Sequence, residues 1–226
     1  SFSGNLDVSS GTIKLECNYP TGTNNVALCN AALDDGSLSG GYNTAIGNAA
    51  LGANTTGEQN VAVGQNAADA VTTGSSNVAV GAHALGQTTT ASDNTAVGKD
   101  ALTSNTTGTQ NTAVGYGAGD TTTTGSYNVF VGRLSGDDNT TGSNNTAVGR
   151  SSYANGTTGN SNVAIGSSSL LNNTTGTGNI GIGVRALEQV TTNSYNTAVG
   201  IDALEDTTGE KNTAIGSFAG EKITTG

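Results

Sequence analysis

The chain has 226 residues, of which 35 are Gly, one is Pro and only 4% are aromatic. Apolar residues make up 33%, which leaves little material for the thick core of an α/β enzyme. The net charge of −10, with seven basic residues, lacks the electrostatic footprint of a nucleic-acid-binding protein. No stretch approaches the roughly 20 apolar residues of a membrane span. Composition therefore disfavours catalysis, nucleic-acid binding and membrane insertion.

The first 24 residues lack the repeat that fills the remainder of the chain. They alternate like an ordinary strand and contain the single proline, Pro20. We expect residues 1–24 to form an N-terminal cap or attachment segment. The two cysteines, Cys17 and Cys29, lie near this end. A disulfide between them would staple the small first layer and is the interpretation we favour, with two free thiols as the alternative.

A five-residue motif recurs along residues 25–226, with the pattern Asn-(Val/Thr/Ile)-Ala-(Val/Ile)-Gly. Successive copies are 18 residues apart at the first step, 17 at the next nine and 16 at the last. Such constancy over the whole chain indicates a solenoid with one coil per repeat. The motif Asn stands at Asn25, Asn43, Asn60, Asn77, Asn94, Asn111, Asn128, Asn145, Asn162, Asn179, Asn196 and Asn212.

The columns of the repeat, numbered from the motif Asn as position 1, predict its local structure. Positions 2 and 4 are mostly β-branched and favour a short strand. Position 5 is Gly in every coil but the first, where Cys29 replaces it, and Gly suits a tight corner with positive φ. Position 8 is always Ala or Ser, position 9 is Leu in seven coils, and a Thr-Thr pair, usually followed by Gly, marks a second corner.

These columns predict an all-β fold, a parallel β-solenoid of twelve narrow coils with two short strands each. Stacking at about 4.8 Å per coil would give a rod roughly 55–60 Å long. We expect the β-branched columns to supply the core with the Leu column as its opposing wall. A core this thin favours homo-oligomerisation, in which partner chains cover the Leu column and approach closely at the small residues of positions 3 and 8.

The Asn column is predicted to form a ladder of side-chain amides along the rod, as identical side chains do in stacked parallel strands. Exposed amides that bind sugar are the alternative. Position 10 is often acidic, which predicts either a solvated, self-repelling edge or a weak cation site. His83 stands alone and predicts no metal site. The weak cation candidates are Asp120, Asp137, Glu188, Glu205 and Glu221.

The motif Asn-Thr-Ala-Val-Gly followed by a small residue three positions later, as at Ala101 and Ser152, resembles the head repeat of trimeric autotransporter adhesins. It also resembles longer arrays in bacteriophage tail-fibre and virion surface proteins. The adhesin resemblance implies a left-handed parallel β-roll with three chains side by side. The repeat here is longer than the common adhesin repeat, and the chain shows no heptad stalk, which shifts the expectation toward a viral fibre.

The expected function is a non-enzymatic structural or adhesive fibre or spike module that contributes to host attachment, located on a virion or at a cell surface. Expected partners are two further copies in a homotrimer, other virion or surface proteins at residues 1–24, and a host surface glycan or protein. No catalytic residue and no cofactor are expected. The alternatives are a bacterial adhesin head and, from the regular Thr columns, an ice-binding solenoid.

Overall fold

The structure is a computed structural model and describes residues 23–223. The prediction for Cys17 and almost all of the predicted cap lie outside these residues. Within the described range every coil contributes one strand of three residues, at positions 2–4 of its repeat. The strands are β1 (Val26–Leu28), β2 (Thr44–Ile46), β3 (Val61–Val63), β4 (Val78–Val80), β5 (Thr95–Val97), β6 (Thr112–Val114), β7 (Val129–Val131), β8 (Thr146–Val148), β9 (Val163–Ile165), β10 (Ile180–Ile182), β11 (Thr197–Val199) and β12 (Thr213–Ile215).

All twelve strands form one parallel sheet in chain order, from β1 to β12. Each residue pairs with the residue at the same position of the next coil, as Thr44 does with Val61 and Ala45 with Ala62. Because the spacing is constant, the same column meets itself at every step. The predicted all-β parallel solenoid with a repeat of about 17 residues is thus confirmed.

The predicted second strand of each coil does not form. After position 5 the backbone makes turns in which positions 7 and 9 are left-handed, as Asp100 (φ 59°) and Leu102 (φ 49°) show. The N–H of Asp100 donates to Ala82 O of the preceding coil at 3.0 Å, and the N–H of Leu102 donates to Ala118 O of the following coil at 3.0 Å. This alternation joins neighbouring coils without an extended segment. The left-handed conformation costs a residue such as Leu roughly 1–2 kcal/mol. Residue propensities therefore do not predict a left-handed Leu at position 9.

The position 5 corner has the positive φ that the sequence predicted. Gly98, for example, has φ 138°. A Cβ at Gly98 would also collide with the carbonyl group of Gly115, the corresponding residue of the next coil. Gly216 lies in the last coil, and a Cβ there would approach only the Ala219 side chain, at 3.8 Å. Close stacking on the following coil therefore leaves no room for a side chain at Gly98, whereas Cys29 at the corner of the first coil has a smaller φ of 93°.

The expected orientation of the strand residues is wrong. In β2–β11 the middle residue, position 3, is buried, while the β-branched residues at positions 2 and 4 are half-buried or exposed. Leu51 and Ala50, at positions 9 and 8, are 0% exposed within the chain. Partner chains are therefore not needed to cover the Leu column, and positions 3 and 8 lie inside the coil. The side chains of a strand alternate between its faces, so burying Ala turns the β-branched residues outward.

Phe130 shows how the narrow interior keeps its volume constant. It takes the place of Ala at position 3 of β7 and is 0% exposed. Position 9 is Gly in its own coil and in the preceding one, at Gly136 and Gly119. A Cβ at Gly119 would lie 2.8 Å from Cδ2 of Phe130, and one at Gly136 would collide with the same ring. The Phe130 ring therefore occupies the space that Leu fills elsewhere.

Tyr153 makes a second exchange of the same kind. It replaces Leu at position 9, is 0% exposed, and covers Gly156, where a Cβ would collide with the ring. Its hydroxyl donates to Gly159 O at 3.0 Å and accepts from Nδ2 of Asn162 at 3.3 Å. Burial raises the pKa of Tyr153 to about 12. A larger side chain in one column is thus matched by Gly in another.

The packing around Phe130 predicts a non-additive pair of substitutions. Phe130→Ala opens a cavity and should lower the free energy of unfolding by about 3–5 kcal/mol. Gly136→Leu alone overpacks the site and should cost about 1–3 kcal/mol. Gly136 has φ 62°, in the left-handed region that Leu102 adopts, so the double variant should fill the cavity and recover most of the loss. Urea unfolding of the four proteins measures the coupling; simple additivity would contradict the volume exchange.

Candidate functional site

The motif asparagines form a continuous ladder of side-chain amides. The backbone N–H of each Asn from Asn43 onward donates to Oδ1 of the preceding motif Asn; for Asn60 and Asn43 the distance is 2.9 Å. Nδ2 of Asn60 donates to Gly74 O, the position 15 carbonyl of its own coil, at 2.9 Å. One amide therefore connects two coils and closes the loop of its own.

The burial of the Asn column distinguishes its two interpretations, a structural ladder and a set of exposed amides that bind sugar. The ten asparagines from Asn43 to Asn196 are 0–1% exposed, whereas Asn25 and Asn212, at the ends of the ladder, are half-buried. A buried amide with its donors and acceptor in use offers nothing to a sugar. The arrangement is structural, because each amide satisfies backbone groups that the short strands leave unpaired.

A second ladder, at position 16, was missed by sequence reasoning. The N–H of Ser75 donates to Oγ of Ser92 at 3.0 Å, and the N–H of Thr109 donates to Oγ of Ser126 at 3.0 Å. The signal was present, since Ser or Thr fills this position in most coils. The column was not recognised because small hydroxyl residues are frequent throughout the chain. The Ser and Thr members are Ser75, Ser92, Thr109, Ser126, Ser143, Thr177 and Ser194.

The Thr-Thr pairs divide into a structural and an exposed column. Thr106, at position 13, donates its hydroxyl to Thr123 O at 3.0 Å, and the same bond recurs in neighbouring coils. Thr107, at position 14, is exposed. In most coils only the second Thr of the pair is exposed, whereas both are exposed at Thr89 and Thr90 and at Thr191 and Thr192.

Four acidic residues of the position 10 column lie in partly desolvated surroundings. Burial is the main cause that raises the pKa of Asp69, Asp120 and Glu188, and it raises that of Asp137 to about 6, with Asp138 and Asp120 adding repulsion. In residues 23–223 no group of three or more His, Cys, Asp or Glu residues is arranged to hold a metal ion. The two candidates at Glu188 and Glu205 also lie beside a cation, Arg185, at 4.0 Å.

The basic residues of the middle coils form a short stack at position 6. Lys99 and Arg133 lie over the ring of Tyr116, with the Lys99 Nζ 5.4 Å and the Arg133 Cζ 5.7 Å from its centroid. Lys99 also pairs with Asp100. Cation–π contacts at exposed sites contribute about 0.5–1 kcal/mol each. They fix the positions of two cations on a chain that is otherwise acidic.

The other single residues considered from the sequence are distributed along the rod. His83 lies at position 7, where its carbonyl accepts from Thr103 Oγ1 at 3.0 Å. Cys29 is exposed and has φ 93°, and its predicted partner Cys17 lies outside the described residues. Of the aromatic residues, Phe130 and Tyr153 are buried, while Tyr116 and Phe218 are exposed in different coils. The structure brings none of these together into a pocket-like site.

Comparison with protein-family models, with curated proteins and with solved structures found no match for this chain. The resemblance to adhesin heads and phage fibres therefore depends on the repeat motif alone. Across residues 23–223 no helix is long and apolar enough to cross a membrane.

Removal of one central ladder amide should be costly. In Asn111→Ala the N–H of Asn128 and Gly125 O lose their partners, because Asn111 Oδ1 accepts the first at 2.9 Å and its Nδ2 donates to the second at 2.8 Å. Leaving buried groups unpaired should lower the free energy of unfolding by about 2–4 kcal/mol. Asn212→Ala, at the half-buried end, is the matched control and should cost under about 1 kcal/mol. Equal losses in urea unfolding would show that burial and ladder position do not matter.

The raised pKa of Asp137 predicts a stability that falls as pH rises. Because the folded-state pKa is about 6 and the ordinary value is 3.8, the folded chain binds this proton more tightly than the unfolded chain. The contribution of this proton to the free energy of unfolding is fully present below about pH 4 and is lost as pH rises through about 6. Urea midpoints measured from pH 4 to 7 should decline, and Asp137→Asn should flatten that slope. The exposed control Asp206→Asn should leave the slope unchanged.

Proposed function

We propose that the chain is a non-enzymatic structural and adhesive module of a fibre or spike, assembled from parallel copies on the surface of a virion. The observation that carries the proposal is the exposed face of the sheet. Positions 2 and 4 hold Val, Ile, Leu or Thr in all twelve strands, on a solenoid whose own core is already closed. The proposed role is geometric: a stiff rod holds an attachment surface away from the particle.

The exposed face has the dimensions of an assembly surface. Eleven steps of about 4.8 Å give a stripe roughly 50 Å long, and two columns separated by about 7 Å make it about 10 Å wide. The resulting area is about 500 Å², of which six Thr side chains form part, so its apolar portion is comparable to the largest apolar patch on an ordinary monomer. Residues such as Val114, Ile165 and Ile182 are 37–39% exposed on it. Burial of these side chains against other copies would remove them from water.

Three copies are proposed from the resemblance to adhesin heads, and attachment to a host follows from the resemblance to phage fibres. The proposal needs no catalytic group. Stability against dissociation would come from the long apolar stripe rather than from a few anchoring residues, because every coil contributes the same two columns.

The solution mass tests the assembly. Light scattering should give about three times 22.1 kDa for the purified chain. Val114→Lys places a charge in the centre of the stripe and should shift the mass toward that of one chain, because a buried lysine would lose its hydration. Thr107→Lys, exposed at position 14, is the matched control and should keep the assembled mass. A wild-type monomer at all concentrations would refute the proposal.

A further inference from the structure

Two exposed columns border the apolar stripe along its whole length. One is position 17, just before the motif Asn, and the other is position 6, just after the corner Gly. Asp93 and Lys99 are the members that flank β5, and both lie at the surface. Six residue steps separate them, at most about 20 Å, and within the chain Lys99 pairs with Asp100 rather than with Asp93.

At four of the twelve strands the two borders carry complementary residues. An acid lies across from a base at one coil, a tyrosine from an arginine at another, and a tyrosine from an aliphatic residue near the C-terminal end. The position 17 tyrosines are 58–59% exposed, and Ile201 is 47% exposed. Asn likewise lies across from Arg next to β8. The pairs, position 17 first, are Asp93 with Lys99, Tyr127 with Arg133, Asn144 with Arg150, and Tyr195 with Ile201.

Packing geometry decides which of these columns meet. When copies are arranged around an axis parallel to the rods, the left border of one stripe meets the right border of the next. Position 17 then faces position 6 of the neighbouring chain. In an antiparallel pair each border would meet the same border of its partner, in reversed order. When the rods overlap fully, only the parallel arrangement brings Asp93 opposite a base, so the complementarity favours parallel copies.

The same pairs select the axial register. With all copies at the same height, Asp93 of one chain faces Lys99 of the next. A shift by one coil would place Asp93 opposite Ala82 or Tyr116 instead, and the acid–base contact would be lost. The stripe itself protects only weakly against slippage, because position 4 is aliphatic in every coil and position 2 holds only Val, Ile or Thr.

The base of this pair is already held in place within its own chain. Lys99 pairs with Asp100 and lies over the Tyr116 ring, whose other cation contact is Arg133. Exposed lysines usually lose side-chain entropy when they are fixed by a partner. Here most of that loss precedes association, so a second carboxylate can join Lys99 at smaller cost.

We propose that positions 17 and 6 are the register-setting contacts between parallel copies of this chain, with Asp93 of one copy bound to Lys99 of the next. This inference rests on the proposed assembly and adds its orientation, its register and the residues that decide both. It also adds both border columns to the contact surface, which brings the area closer to the approximately 800 Å² per partner of stable interfaces.

Charge reversal tests the contact in the full chain. Asp93→Lys and Lys99→Asp should each raise the concentration of half-dissociation by about tenfold, because like charges then face each other between copies. The double variant restores opposite charges and should return to within about threefold of the wild type. Sedimentation velocity over a dilution series measures this, and circular dichroism confirms that each variant is folded. Rescue would report a contact between copies, since within one chain Lys99 makes its ion pair with Asp100 and not with Asp93.

Asp138→Lys is the matched control, because it changes the net charge from −10 to −8 as Asp93→Lys does, but at position 11. It should leave dissociation unchanged. Wild-type assembly that is insensitive to both single reversals, or single defects without rescue, would overturn the register contact alone. A wild type that stays monomeric at every concentration would overturn this contact together with the proposed assembly.

Discussion

The structure depends on the hydrogen bonds that connect each residue to the one a full coil away. A three-residue strand has too few backbone bonds to fix its neighbours, and isolated strands of this length would not persist in water. The Asn ladder supplies the missing contacts: the side chain of Asn94 accepts the N–H of Asn111, and its own Nδ2 closes the coil at Gly108 O. Because every coil repeats this bond, the backbone path is copied from one coil to the next.

Because these bonds give every coil the same backbone path, a larger side chain in the interior is always accompanied by a smaller residue beside it. The stacked backbones fix the space between them, so a large side chain fits only where another column gives way. Phe130 faces Gly119 and Gly136, and Tyr153 faces Gly156. The left-handed residues at positions 7, 9 and 17 belong to the same constraint, since their strain is outweighed by amide bonds to both adjacent coils.

The outer surface is where the coils differ from one another. Columns inside the coil and in the ladder are nearly uniform, because each member must satisfy the same neighbours above and below. Position 6 instead changes from Gln65 through Lys99, Tyr116 and Arg133 to Ile201. Variation at a column that the stacking leaves free is the expected location for contacts that distinguish one coil from another, such as the proposed register contact at position 6.

The sequence by itself determined the solenoid, its coil length, the corner glycines and the chemistry of the Asn column, because each of these repeats in register and depends on local backbone needs. It did not determine which strand face is inside. The alternation at positions 2–4 is compatible with either orientation, and only the tertiary structure decided that the position 3 residues, mostly Ala, join the predicted Leu wall in the narrow interior while Val and Ile face outward. The missing second strand was equally undetermined, since left-handed Leu has no signature in residue propensities. Phe130 and Gly136 compensate each other in volume although they stand in different columns of the repeat. Such pairs become evident only when the coils are stacked.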